Sequence, residues 1–243
     1  MVQSGNGEPS GGAHGGSSFF VDNGRVKSGR RSLIAWSIVA LISALAFGFL
    51  LWGVLAHNGL TRADLEVATF VAGHRTAWLT TVMRIVTWLG SSFFIIPLGV
   101  AVGGILWLRR HTWRPVLMMS AAFLGAAGLY DIVKPAVARV RPPAALQVGG
   151  PDGGWSFPSG HATQTIAFYG MMAIVLIAWY AARRRVLFAI GAALVTVVVG
   201  ASRLYLGVHW LTDVLGGYAL GLSWLAVIVI ATLLLRISEQ APR

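Results

Sequence analysis

The sequence predicts an all-α fold: a bundle of six transmembrane helices with an additional amphipathic helix and a disordered N-terminal tail. Composition is the first reason. Of 243 residues, 56% are hydrophobic and only 11% are charged, whereas a soluble domain carries about 25% charged residues. Too few polar side chains remain to cover a water-soluble globule. The second reason is that six continuous apolar runs recur along the chain, most of them near the ~20 residues a helix needs to cross hydrocarbon. The third is that these runs show no period-two alternation. Only helices and closed barrels satisfy every backbone N–H and C=O inside a bilayer, so helices are expected.

The elements follow in order. Residues 1–30 are Gly/Ser-rich with little to bury, and such a stretch does not offset the entropy of ordering. They are expected to form a disordered cytoplasmic tail, with residues 31–243 as the membrane domain. The tail lacks the charged–apolar–small-residue layout of a cleaved leader, so the first apolar run is expected to be a retained span. The runs are Leu33 to Leu55, Phe93 to Leu108 (extended backwards through Trp88 and Leu89), Val116 to Val133, Ala162 to Ala182, Val186 to Ala201 and Leu211 to Leu235. Between the first two, residues 58–91 place Leu65, Phe70, Trp78, Val82, Ile85 and Trp88 at roughly helical spacing among polar residues. An amphipathic helix is expected there, lying on the membrane surface or serving as an ordinary helical cap over the bundle.

Charge sets the topology. The net charge is +11. On a soluble chain that would suggest nucleic acid. Here the cations lie between apolar runs, so orientation and anionic lipid account for them and no nucleic-acid partner is expected. Twelve of the nineteen Lys and Arg fall before the first run, between the second and third, between the fourth and fifth, and after the sixth. That face is expected to be cytoplasmic, with both termini inside. The other seven, Arg62, Arg75, Arg84, Lys134, Arg139, Arg141 and Arg203, run against the rule and need other reasons to be there. The chain has no cysteine, which excludes disulfides, thiolate nucleophiles and Cys-based metal sites.

Three polar clusters interrupt the apolar pattern, all at the predicted outer border. The first runs from Lys134-Pro135 to Arg141-Pro142. Proline does not continue a helix, so the third span is expected to end close to Lys134. Either cation alone reads as a snorkelling anchor. The second is Trp155-Ser156-Phe157-Pro158-Ser159-Gly160-His161. It leads into the fourth span, where free N–H groups and the helix dipole favour an anion. Ser159 alone reads as a helix cap, but that does not account for His161. The third runs from Ser202-Arg203 to His209 and Asp213. A carboxylate on one imidazole nitrogen fixes the tautomer and leaves the other nitrogen free as nucleophile or base. The alternative is a pair that merely satisfies itself. The loop 143–157 is expected to shape access, with Trp155 or Phe157 touching lipid.

Together, Lys134, Arg141 and Arg203 beside a helix N-terminus describe a phosphate cradle. Phosphoryl transfer needs charge stabilisation, an in-line nucleophile and an acid for the leaving oxygen. His209, oriented by Asp213, can attack phosphorus, and His161 can protonate the leaving group. Asp64, Glu66, Asp152 and Asp213 do not cluster in sequence into a divalent-ion site, so no metal and no cofactor are expected.

These residues resemble the signature of the type 2 phosphatidic acid phosphatase superfamily. That signature is a Lys separated by six residues from Arg-Pro, then Pro-Ser-Gly-His, then Ser-Arg, five residues, His, three residues, Asp. Here these are Lys134 with Arg141-Pro142, Pro158-Ser159-Gly160-His161, and Ser202-Arg203 with His209 and Asp213; every letter and gap matches. The resemblance implies that Lys134, Arg141, Ser159, Gly160 and Arg203 hold the phosphate. It implies His161 as general acid, His209 as nucleophile and Asp213 as its partner. It also implies metal-free hydrolysis, six helices and a site at the outer surface of the cell membrane. The implied substrates are lipid phosphates: phosphatidic acid, phosphatidylglycerol phosphate, or an isoprenoid diphosphate of the undecaprenyl type, the last being favoured.

Other classes are weighed against this. A phosphotransferase would hand the same phosphohistidine to a lipid A sugar or another alcohol. A vanadium-dependent haloperoxidase shares the cradle, but those relatives are soluble. A transporter would place its ionisable groups near the midplane, with internal repeats; here the clusters share one border and no repeat is seen. A catalytically dead relative would be expected to have lost at least one motif residue.

Overall fold

A computed structural model describes residues 23–149, 153–179 and 182–240. Among the described residues there are eight α-helices and no strand. Six of the helices are long and apolar enough to cross a membrane: α1 (Asn23–Leu55), α4 (Ser92–Arg110), α5 (Arg114–Val137), α6 (Gly160–Trp179), α7 (Ala182–Tyr205) and α8 (Leu211–Gln240). The chain is a multi-pass membrane protein. Two shorter helices, α2 (Gly59–Gly73) and α3 (Ala77–Thr87), join α1 to α4.

Helix α6 is the centre of the bundle, packed against α5, α7 and α8, while α1 lies along α8. Phe168, Met171 and Val175 of α6 are buried with Ile95 and Leu106 of α4, Met119 and Phe123 of α5, and Leu225 and Val229 of α8. Large apolar side chains on the outside, such as Leu41, Leu45, Val100, Leu124 and Leu194, stay exposed. Lipid tails solvate them as well as a protein core would, so helix association rests on close packing instead. Glycines on α8 provide it. A Cβ on Gly217 would stand 2.7 Å from the Ser159 carbonyl oxygen, and one on Gly221 would stand 2.5 Å from that of Thr163. The backbone of α8 thereby touches the start of α6, and Ser159 N–H donates to the Asp213 carbonyl at 3.0 Å.

Several boundaries differ from expectation. Residues 1–22 of the expected tail lie outside the described residues, but α1 begins at Asn23, within the stretch expected to be disordered. Arg, Lys and Val tolerate helix, and extending a helix already nucleated by an apolar span is cheap. Helix α5 does not stop at Lys134; it carries Pro135 inside it and ends after Val137, where Ala138 is left-handed and its N–H returns to the Lys134 carbonyl. A proline gives up only the bond to the carbonyl four residues back, and its φ is already helical. Trp88 and Leu89 do not extend the second span. They form a 3-10 turn, and Ser91 then caps α4 by accepting from Phe93 N–H at 3.2 Å. The single amphipathic helix expected over 58–91 is two, α2 and α3.

The inward face of α2 is also not its apolar one. Leu65 and Phe70 are exposed, while Asp64 is buried. In a membrane protein an apolar stripe can face lipid and leave a polar residue to turn inward. Of the two loop aromatics offered for lipid contact, Trp155 is exposed, while Phe157 is fully buried and stacks on Phe47 with ring centroids 5.8 Å apart.

Candidate active site

The alternating spans bring the starts of α4, α6 and α8 and the ends of α5 and α7 together at one border. A cavity of about 530 Å³ opens among them, lined by Lys134, Arg141, Gly160, His161, Arg203 and His209. Six of the eight residues singled out from sequence therefore meet in one space. The other two, Ser159 and Asp213, do not line it and are buried directly behind it.

His209 precedes α8 rather than lying within it, so the four-residue spacing to Asp213 is closed by a turn. Gly207 makes that turn possible. Its φ is +72°, and a side chain there would collide with the Leu146 carbonyl oxygen. His209 Nδ1 lies 3.3 Å from Asp213 Oδ2, and Nε2 lies 3.2 Å from Arg141 Nη1. Arginine only donates, so Nε2 is the accepting nitrogen and the ring proton sits on Nδ1, toward Asp213. Burial holds the His209 imidazole well below its ordinary range, at about 4; Asp213 pulls the other way, and Arg203 and Arg141 add to the lowering. The ring is neutral near pH 7, with its Nε2 lone pair toward Arg141, which lines the cavity.

Asp213 is held by more than its histidine. Its Oδ2 accepts from Trp210 N–H at 2.8 Å and from the Ser156 hydroxyl, and its Oδ1 accepts from Arg139 Nη1 at 2.6 Å. Arg139 also donates through Nη2 to Asp64 Oδ2 at 2.6 Å. Asp64 accepts two further bonds, from Thr212 N–H at 2.8 Å and Thr212 Oγ1 at 2.7 Å. Surface helix α2 is thus bolted to the start of α8 through a buried carboxylate–guanidinium–carboxylate chain.

None of these supporting roles was assigned from sequence. The signal was there for one of them: Arg139, like Arg75, is among the seven cations that run against the positive-inside rule in the topology expected from sequence. Arg75 donates to the backbone carbonyls of Tyr205 and Leu146 at 2.7 and 2.8 Å, tying the loop after α5 to the end of α7. Asp64 had no such mark.

The cations and the helix start at the cavity are built locally. The first intrahelical bond of α6 runs from Thr163 N–H to the Ser159 carbonyl at 3.0 Å, so the N–H groups of Gly160 to Ala162 precede it. Ser159 Oγ is buried with no hydrogen-bond partner among the described residues. Lys134 Nζ donates to the Trp155 carbonyl at 2.8 Å, Arg141 Nε to the carbonyls of Gly153 and Gly154 at 3.2 Å, and Arg203 Nη1 to Thr87 Oγ1 at 3.0 Å. These bonds fix the three cations around the cavity and fold the loop at 153–155 over them. Asp152 lies outside the described residues.

Fold and site define a class: a membrane-embedded helical bundle with a cationic, two-histidine cavity at one border. The chain belongs to the PAP2 superfamily, whose family model matches residues 115–236. It is similar to phosphatidylglycerophosphatase B of Bacillus subtilis (strain 168), 35% identical over 183 residues that cover 74% of this chain and 89% of that protein. It is also similar to an undecaprenyl-diphosphatase of Sulfolobus acidocaldarius, 27% identical over 203 residues covering 81% of this chain and 89% of that one. Among solved structures, a transmembrane PAP2-type phosphatidylglycerolphosphate phosphatase from Bacillus subtilis superposes with a TM-score of 0.74 at 31% identity, covering 84% of this chain and 98% of that one. Aquifex aeolicus LpxE, at 23% identity and a TM-score of 0.51 over 69% of this chain and 94% of that one, shares the fold.

Proposed function

We propose that the chain is a membrane phosphatase that hydrolyses the phosphate of a lipid or polyprenyl phosphate or diphosphate through a phosphohistidine on His209. The observation that carries this is the neutral, buried His209, its Nε2 beside Arg141, lining the same cavity as His161 and three cations. Kinship with two phosphatases of lipid substrates supports the same reading.

In this mechanism the phosphoryl oxygens sit among Lys134, Arg141, Arg203 and the first-turn N–H groups of α6, with Ser159 Oγ buried next to them, where negative charge is stabilised. His209 Nε2 attacks phosphorus while Asp213 holds the Nδ1 proton and balances the cation that forms. The bond from phosphorus to the leaving oxygen breaks, and His161 supplies the proton that oxygen needs. Water then attacks the phosphohistidine, His161 takes its proton, and inorganic phosphate leaves. No step is routed through a metal.

Both termini lie in the cytosol and the cavity faces outward. Arg30, Arg31, Arg109, Arg114, Arg184 and Arg185 lie near the helix ends remote from the cavity, and basic residues favour the cytoplasmic side.

The test is phosphate release from lipid phosphates by purified protein in detergent. Release is expected, undiminished by EDTA, and His209→Ala or His161→Ala should abolish it. Full activity of His209→Ala, or loss of activity on chelation, overturns the mechanism.

A further inference from the structure

Beside the phosphate cradle the cavity changes character. Ser92 at the start of α4, Tyr130 on α5 and Gln164 on α6 line it together. Gln164 is buried at 3% exposure, and its amide nitrogen donates to Tyr130 Oη at 3.0 Å and approaches Ser92 Oγ at 3.4 Å. The Tyr130 ring lies where a Cβ on Gly160 would meet it at 3.3 Å, so these groups abut the cradle. Gln164 follows His161 by three residues and shares its helix face. Tyr130 precedes Lys134 by four, one turn deeper into its span. An apolar slot lined by Ile95, Ile96, Val116, Phe123 and Leu124 opens between the same two helices, α4 and α5.

Tyr130 and Gln164 therefore lie about one turn inward of Lys134 and His161, with hydrocarbon beyond them, while Ser92 stands beside them at the border where α4 begins. We infer that Ser92, Tyr130 and Gln164 form a neutral leaving-group subsite that selects a phosphomonoester of a hydroxyl-bearing, glycerol-type alcohol over a polyprenyl diphosphate. This rests on the phosphatase reading above and narrows it, against the diphosphate preference expected from the sequence. In a monoester the atoms beyond the scissile oxygen are carbons bearing neutral hydroxyl or ester oxygens, which a hydroxyl and amide cluster can pair. In a diphosphate the next group is a second anion. Placed here it would be desolvated among neutral side chains, while the cavity-lining cations Lys134, Arg141 and Arg203 surround the first phosphate.

The experiment compares kcat/KM for phosphate release from phosphatidylglycerol phosphate and from undecaprenyl diphosphate, using the full chain in mixed micelles. The parent is expected to favour the first. Tyr130→Phe and Gln164→Leu should each lower that activity about two- to tenfold, the value of one or two hydrogen bonds, and leave the diphosphate within about twofold. Ser92→Lys, at a half-buried position, should shift the ratio toward the diphosphate by supplying a cation. If Gln164→Leu does not fold, the Tyr130 and Ser92 variants carry the test. A parent that prefers the diphosphate, or equal losses on both substrates, overturns the inference. Release from neither substrate is a different result and overturns the phosphatase reading itself.

Discussion

Asp64 lies on a surface helix outside every motif, yet removing its carboxylate should destabilise the protein and slow turnover together. It is 1% exposed and accepts three hydrogen bonds, at 2.6, 2.8 and 2.7 Å, from Arg139 and Thr212. The side chain of its partner Arg139 is only 12% exposed. Removing one member of a buried pair typically costs about 3–5 kcal/mol, because the other charge stays buried without its counter-ion. Asp64→Ala should therefore lower stability by about 3–5 kcal/mol, a fall in Tm of roughly 6–20 °C for a chain of this size. Asp64→Asn keeps the shape and one acceptor for Thr212, and should lose about 1–3 kcal/mol.

The catalytic effect follows from charge. Arg139 is shared between Asp64 and Asp213, at 2.6 Å to each. Without Asp64 the guanidinium is balanced by Asp213 alone, and Asp213 is less able to support a cationic His209. Asp64 touches no phosphate-facing group, so kcat should fall roughly tenfold in Asp64→Asn with KM unchanged, the pattern of an interaction that matters in the transition state. Thermal unfolding in detergent and steady-state kinetics on one preparation measure both. An Asp64→Asn protein with parental Tm and parental kcat would refute the reasoning; a change in KM alone would show that Asp64 acts on substrate binding instead.

Three further outcomes are expected. Gly207→Ala should destabilise by more than the ~1 kcal/mol of a left-handed strain, because the added methyl meets the Leu146 carbonyl; chemical denaturation and loss of turnover would report the displaced His209. Ser159→Ala removes no hydrogen bond seen among the described residues, so its unfolding midpoint should match the parent while kcat/KM falls up to about tenfold; unchanged kinetics would remove Ser159 from the proposed cradle. The folded His209 titrates near 4, below the ~6.5 of an unfolded histidine. The folded state thus binds fewer protons between these values, so stability is full above about pH 6.5 and declines as pH falls toward 4. A His209→Gln protein should lose less stability over that window than the parent, by at most roughly 3 kcal/mol.

Much of this protein is legible in one dimension. Apolar runs of membrane length announce α1 and α4 to α8, since hydrocarbon accepts little besides a helix of that length. The three polar clusters are legible too, because polar residues at a span border need a reason. The errors concern features that depend on neighbours. Pro135 lies inside α5 because a proline near a helix end forfeits a single bond. The 3-10 turn at Trp88 to Gly90 lets His161 pack close; a Cβ on Gly90 would stand 2.9 Å from that imidazole ring. Phe157 is buried because Gly216 of α8 leaves space for its ring.

Helix number, the membrane setting and the identity of the cavity-lining cations and histidines are properties of local sequence, because periodicity, hydrophobicity and motif spacing act over a few turns. The buried chain from Asp64 through Arg139 to Asp213, the tautomer of His209 and the neutral groups next to the cradle are not local. They arise where residues 34 to 148 positions apart meet in space. Their partners are chosen by how α2, α5, α6 and α8 pack, and packing depends on shape and charge that no single segment contains.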